Sequence, residues 1–365
     1  MPVVRPDVVL AALDRYPPVE TCERVAVVGG FVRDISLGRV PRELDLVVEG
    51  DAAALARSLG SEVTVHEPFG TASVAGDGWR VDVAMARRER YPQPGALPEV
   101  APARLEDDLH RRDFSVNAIA VTLGGELLAA DHALDDLEAG VMRVLHEQSF
   151  TDDPTRLIRL ARYAQRLGFE VEEQTAALAA AASLETLSGA RIGAELRLAL
   201  AEEDPLAILE RLRDALPFSL DVSLASAALA LASDDADRAM LILGSAQGNL
   251  DRIELTARER DIVLACADAA VPADTRASSL WRAWRRTPIE AVAVAGARGD
   301  AAAARAWIER LRHVRLEIDG NDLIAAGLAE GEEIGRRLER TLAAKLDDEL
   351  DWGREAELAF ALGDG

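Results

Sequence analysis

Val25-Ala26-Val27-Val28-Gly29-Gly30-Phe31-Val32-Arg33-Asp34 decides how the first half of this chain is read. Four apolar residues, three of them β-branched, have the length of a buried strand, and two glycines end it abruptly. Helical spacing follows, so the segment reads as strand, tight turn and helix. Glycine lets a phosphate approach the backbone, and a helix N-terminus offers free N–H groups and the positive end of its dipole. Arg33, one turn in, would add a bidentate phosphate contact. A tight strand–helix turn asks for the same two glycines, so this segment alone leaves both readings open.

Short β-rich runs recur on the C-terminal side of that turn: Leu44–Val48, Glu62–Val65, Arg80–Ala84 and Ala118–Val121. Helical stretches at 31–38 and 51–59 lie between them, which predicts an α/β head with a mixed sheet. Four prolines, Pro92, Pro94, Pro98 and Pro102, predict an irregular loop over 88–106. A loop of that length inside a compact domain is more often functional than accidental. From about residue 151 apolar residues recur at three- and four-residue spacing, most clearly over 155–167 and 192–213. Residues 219–240, rich in Ala, Ser and Leu, also read as helix. The expected organisation is a head over 1–148, a helical neck over 149–215 and an all-helical remainder over 216–365.

Composition bounds what such a protein can be. Of 365 residues, 49% are hydrophobic and 29% charged, which excludes a disordered or collagen-like chain. Apolar runs fall short of the ~18–20 residues that span a bilayer. Met1 to Asp7 lacks the apolar core of a secretory signal. Cys22 and Cys266 are too few for a disulfide framework or a four-thiolate zinc site, so a cytoplasmic setting is expected. A nucleic-acid binder usually carries a basic half or tail, so the net charge of −23 counts against any nucleic-acid partner. Lys345 is the sole lysine among 41 basic residues.

Three further segments carry candidate chemistry. Glu43-Leu44-Asp45, read within a strand over 43–48, places two carboxylates on one face, and Asp82 on a later strand would bring a third. Such a group repels itself unless a cation sits among it, and oxygen donors on a rigid sheet suit Mg²⁺. A polar outer face of an edge strand would look the same. Arg111-Arg112-Asp113-Phe114-Ser115-Val116-Asn117-Ala118 puts Asp113 directly before an apolar strand, where it either fixes an arginine as a paired donor or belongs to a solvated charged turn. Asp152-Asp153-Pro154-Thr155-Arg156 begins a helix with acids and proline at its start, as helix N-termini favour. Asp153 and Arg156 stand one turn apart and could present an acceptor and donors to the edge of a base. Arg159 and Arg162 continue the stripe, drifting around the helix by about −60° per three residues. A solvated arginine stripe is the plain alternative.

In this order the four segments resemble the class II nucleotidyltransferases, that is, bacterial CCA-adding tRNA nucleotidyltransferases and their poly(A) polymerase relatives. The family pattern is Gly-Gly-x-Val-Arg-Asp, Asp-x-Asp, Arg-Arg-Asp-Phe-[Ser/Thr]-x-Asn-Ala and Asp-Pro-x-Arg. Here it reads Gly29 to Asp34, Glu43 to Asp45, Arg111 to Ala118 and Asp153 to Arg156. Tyr163 to Phe169 continues the likeness, and it returns over 316–358. The resemblance implies template-independent addition of C and A to the tRNA 3′ end from CTP and ATP, releasing pyrophosphate. It implies Mg²⁺ on Glu43 and Asp45, with Asp82 as third catalytic carboxylate. Gly29, Gly30, Arg33 and Arg112 would hold phosphates or ribose. Asp153 and Arg156 would read the base, with Arg159 and Arg162 near the triphosphate, and 216–365 would bind tRNA. Glu43 departs from the pattern, standing where the family has its first aspartate. The same motifs fit an A-adding enzyme, a poly(A) polymerase or a non-catalytic RNA-binding relative.

Overall fold

A computed structural model describes residues 3–363 apart from Cys22. The expectations that rest on Cys22 and on the first two residues therefore lie outside the described residues. The chain forms two compact units, Met1–Ala215 and Leu216–Gly365.

In the first unit a seven-stranded sheet takes the order β3-β4-β5-β2-β1-β8-β9. Its strands are β1 (Val25–Val28), β2 (Leu44–Val48), β3 (Glu62–His66), β4 (Thr71–Gly76), β5 (Trp79–Met85), β8 (Ile119–Thr122) and β9 (Leu127–Ala129). All neighbours run antiparallel except β2 and β5. Helix α1 (Pro6–Ala11) precedes β1, and α2 (Gly30–Ser36) springs directly from it. Helix α3 (Ala52–Leu59) is capped by Asp51, whose Oδ1 accepts from Ala53 N and Ala54 N at 2.9 and 3.1 Å. Under the centre of the sheet, Ala26, Val28, Val47, Ala118 and Ala120 pack against Leu105 and Leu109 of α4 (Leu105–His110). Small residues on the strands let that helix sit close.

Two sequence expectations need correcting here. The 88–106 segment is not irregular throughout: β6 (Arg87–Arg90) and β7 (Glu99–Pro102) form a separate antiparallel ribbon, and α4 begins at Leu105. Proline lacks the N–H that an interior ladder needs, but a two-stranded ribbon has free edges and accepts Pro102 at its end. Pro92, Pro94 and Pro98 fall in its connecting turn. Glu43 does not lie in a strand, because β2 begins at Leu44 and Arg42 and Glu43 form an exposed bend after the buried Pro41.

After α5 (Ala133–Ala139) and the short α6 (Ser149–Asp152), helix α7 spans Thr155–Leu167, the range its periodicity predicts. Gly168, at φ 72°, ends it in the left-handed region. Arg39 closes the same end, donating to the carbonyls of Arg166 and Leu167 at 2.9 and 3.2 Å. A parallel ribbon of β10 (Val141–Met142) and β11 (Glu170–Val171) fastens the chain on both sides of α7. Helix α8 (Glu173–Ala180) follows, and the predicted stretch 192–213 divides into α9 (Gly189–Leu200) and α10 (Pro205–Arg211). Asp204 caps the latter and Pro205 occupies its first position, so the helix must restart there.

The second unit is helical from α11 (Val222–Leu231) to a last helix at Arg354–Leu362, with 219–240 divided by a turn before α12 (Arg238–Gly244). A two-stranded antiparallel ribbon, Phe218–Leu220 with Ala246–Gly248, departs from the all-helical expectation. Toward its end Ile318, Leu323, Ile334 and Ala361 form a separate small core. Lys345, buried with its side chain, pairs with Glu357 there at 2.5 Å. No helix of the described residues is long and apolar enough to cross a membrane.

Candidate active site

One strand pairing sets the floor of a polar cleft. The parallel register of β2 and β5 places Asp45 beside Asp82, so both side chains leave the same face of the sheet. Asp82 is steadied by its own strand, with Arg80 Nη2 and Nε donating to Oδ1 at 3.1 and 3.2 Å. Burial and then repulsion from Glu43 push the Asp45 carboxyl up to about 6, with Asp82 adding to the effect and Arg112 and Arg159 opposing it. Glu43 thus acts on Asp45 from the bend at the rim rather than from the strand. The cleft has a volume of about 640 Å³ and also takes in Gly29, Gly30, Arg33, Arg112, Arg159 and Arg162.

The glycine turn forms one wall. Gly29 sits at φ 65°, where a side chain is strained, and a Cβ there would lie 2.9 Å from Arg112 Nη1. Arg33 is buried, its Nε donating to Asp34 Oδ1 at 2.8 Å and its Nη1 to Asn117. Arg112 donates from Nη2 to Asp108 Oδ2 at 3.0 Å, while its buried Nε has no protein partner among the described residues.

Helix α7 forms the facing wall. Asp113 accepts from Arg159 and from Asn117 Nδ2 (3.0 Å), so the arginine its position demanded comes from the neck. Burial works to raise the Asp113 carboxyl, but Arg159 and the Asn117 amide outweigh it and hold it at about 2. Arg159 and Arg162 both reach Glu195 on α9, and Arg162 also reaches Glu202, just past the end of that helix. Arg42, next to Glu43, closes on Glu202 at 2.6 Å.

Asp153 and Arg156 line a second pocket of about 310 Å³, which shares Arg112, Asp113 and Arg159 with the cleft. Asp153 Oδ1 accepts from Thr155 N, from Thr155 Oγ1 and from Arg191 Nη2, at 3.0, 2.6 and 2.7 Å. Its Oδ2 takes no protein hydrogen bond among the described residues. Arg156 spends one donor on Ser149 Oγ at 2.7 Å and another on the Arg111 carbonyl at 2.8 Å. The sequence-predicted residues therefore fall into two groups joined at Arg112 and Arg159. What the motifs did not reveal is the opposite wall of the smaller pocket, where Glu89 accepts from Arg87, Arg111 and Tyr91. It belongs to the ribbon read as loop.

Two strand carboxylates thus lie under a glycine turn and are faced by arginines from helix α7. Residues 25–143 match the poly A polymerase head domain. An A-adding tRNA nucleotidyltransferase of Halalkalibacterium halodurans is 43% identical over 203 residues, covering 52% of this chain and 48% of that protein. A CC-adding tRNA nucleotidyltransferase of Deinococcus radiodurans is 42% identical over 190 residues, 50% of this chain and 51% of that one. The chain thus spans about half the length of these curated relatives. Over most of its length, 93% of this chain and 91% of the other, it superposes on a Thermotoga maritima CCA-adding enzyme complexed with tRNA, with a TM-score of 0.72 and 28% identity.

Proposed function

We propose that the protein adds C and A nucleotides without a template to the 3′ end of tRNA, taking them from CTP and ATP, releasing pyrophosphate and working in the cytoplasm. One observation carries this reading: Asp45 and Asp82 stand side by side on the floor of a cleft whose walls are lined with arginines.

The donor set fits Mg²⁺. Asp45 is a carboxylate raised to about 6 by burial and by like charge from Glu43 and Asp82, a charge that a bound cation would offset. Among the described residues no three acidic, His or Cys side chains converge to cage a metal alone. Mg²⁺ is usually bound by one or two carboxylates together with substrate phosphates, so a full cage is not needed. Glu43 and Asp45 would hold the ion, which when bound neutralises the carboxylates and the charge developing on the phosphates. Glutamate is one methylene longer than the family's aspartate, and its place in a bend rather than a strand leaves it room to reach.

The chain's own groups supply the rest. The Gly29–Gly30 turn brings backbone N–H groups up to the triphosphate, and Arg33, Arg112, Arg159 and Arg162 hold its charge in line for attack. Asp82, fixed by Arg80, accepts a hydrogen bond from the tRNA 3′ hydroxyl and takes its proton as the bond to the α-phosphate forms. In the smaller pocket the Asp153 Oδ2 acceptor and the Arg156 donors face the base. Cytosine and adenine both present an exocyclic amine beside an unprotonated ring nitrogen, so one acceptor–donor pair reads both. Uracil and guanine present the reverse and would leave those groups unpaired, a mismatch that costs far more than a lost methyl.

The test is to incubate the protein and Mg²⁺ with tRNAs lacking one, two or three 3′ nucleotides, offering CTP, ATP or both. Completion of all three to a fixed end is the expected result. Extension of the first alone means an A-adding enzyme, a long ladder means a poly(A) polymerase, and no extension overturns the catalytic reading.

A further inference from the structure

We propose that Tyr163 is a positioning residue whose ring is the common face on which three phosphate-directed arginines are held, one from the head and two from the neck. The inference rests on the nucleotide-transfer reading above and assigns a role to a side chain that reading left without one.

The guanidinium carbons of Arg33, Arg162 and Arg159 lie 5.2, 4.7 and 5.5 Å from the Tyr163 ring centroid. All three distances fall within the roughly 6 Å over which an arginine is attracted to an aromatic face. Arg33 comes from α2, whereas Arg159 and Arg162 stand four and one residues before Tyr163 on α7. The ring cannot slide away, because the buried Phe114 meets it edge-on at 6.1 Å and 84°. Arg159 Nη2 donates to the phenol oxygen at 3.3 Å, which orients the ring further.

The carboxylates nearby do not do this work. Asp34 holds Arg33, Asp113 holds Arg159, Glu202 holds Arg162, and Glu195 reaches the last two. Among the described residues Tyr163 is the side chain that touches all three. Three guanidiniums gathered around one point repel each other, and a carboxylate placed there would relieve them only by repelling the triphosphate as well. An aromatic face attracts cations through its quadrupole and carries no net charge, so it steadies the cluster without opposing an anion. It also links Arg33 of the head to the two neck arginines, so both walls of the cleft keep one spacing.

The experiment compares wild type with Tyr163→Leu, Tyr163→Met and Tyr163→Phe. Binding of inorganic tripolyphosphate is measured by calorimetry, and KM and kcat for CTP and ATP by tRNA extension. Loss of the ring is expected to weaken tripolyphosphate binding and raise KM for both nucleotides about tenfold, as the loss of two or three such contacts implies. The CTP/ATP preference stays as in wild type, because the ring touches no base. Tyr163→Phe keeps the ring and is expected to restore most of the binding. Methionine fills the volume without a quadrupole and is the variant to read should leucine fail to fold. Tight binding by both Leu and Met variants overturns the role of Tyr163, as does a Phe variant as weak as they are. If wild type binds neither tripolyphosphate nor CTP and ATP, the nucleotide-transfer reading itself has failed.

Discussion

Arg159 on the neck helix donates from Nε and Nη2 to one oxygen of Asp113 at 2.9 and 2.7 Å, tying the neck to the loop before β8. The buried carboxylate thereby fixes a guanidinium that also lines the nucleotide cleft.

Asp113 is held at about 2 in the folded chain, below the ~3.9 of an exposed aspartate. A carboxyl lowered by folding adds stability above its unfolded value, and that stability is lost as pH falls through the folded value. The contribution is roughly 2 kcal/mol, fading between about pH 4 and pH 2. Asp113→Asn should therefore be less stable than wild type at neutral pH, with the two acid-unfolding curves converging toward pH 2. Parallel curves over that range would mean the ion pair is not the cause.

Asp45 shows the opposite sign. Its carboxyl is raised to about 6, so in metal-free protein the folded state binds the proton more tightly than the unfolded one. Stability then falls as pH rises from about 4 to about 6 and stays lower at neutral pH, by about 1–3 kcal/mol. Asp45→Asn should abolish turnover and yet unfold at a higher temperature than wild type at pH 7 in EDTA. Adding Mg²⁺ should close the gap by stabilising wild type alone. A variant that is no more stable in EDTA would falsify the account of Asp45 as a carboxylate awaiting a cation.

The head was legible because its signals are local. The β1 run, the glycine turn and helix α7 are each set by residues adjacent in sequence, and Thr155–Leu167 follows its apolar period without a shift. The Asp45–Asp82 pairing was half legible: the alternation was readable, but the parallel register joining the two strands is a long-range fact. Glu43 was misplaced because Pro41 two residues earlier turns the chain into a bend, which a run of alternating residues does not reveal. The ribbon 87–102 was hidden by its prolines, and with it the Glu89–Arg111 wall of the smaller pocket. Glu195 and Glu202 could not be assigned from sequence, since a carboxylate on a helix or in the turn after it is ordinarily solvated and only packing sets these against Arg159 and Arg162.

The smaller pocket predicts a switch in base choice. Asn at position 153 keeps the shape of Asp but can present an amide N–H₂ where the carboxylate only accepts. Asp153→Asn should lower incorporation of C and A and admit UTP, measured as misincorporation on tRNA lacking its 3′ end. Arg156→Ala should blur CTP/ATP choice with less effect on the affinity for tripolyphosphate. Unchanged selectivity in both variants would remove these residues from base reading.

The two glycines of the turn separate folding from phosphate binding. Gly29, at φ 65°, takes a conformation that costs alanine more than about 1 kcal/mol, and its Cβ would press on Arg112 Nη1. Gly29→Ala should therefore lose both stability and nucleotide affinity, as any strand–helix turn of this kind would. Gly30 opens α2 without a left-handed backbone, and the nearest atom to a Cβ there is Arg33 Nη2 at an ordinary 3.5 Å. Alanine at 30 should leave the melting temperature within a few degrees of wild type, since helix propensity favours it over glycine by up to about 1 kcal/mol. If phosphate approaches the backbone at this turn, the added methyl blocks it, and Gly30→Ala should weaken CTP and ATP binding about tenfold or more at unchanged stability. Affinity that survives Gly30→Ala would mean the glycines serve the turn alone, and the phosphates would then have to be held by Arg33, Arg112, Arg159 and Arg162 without the backbone.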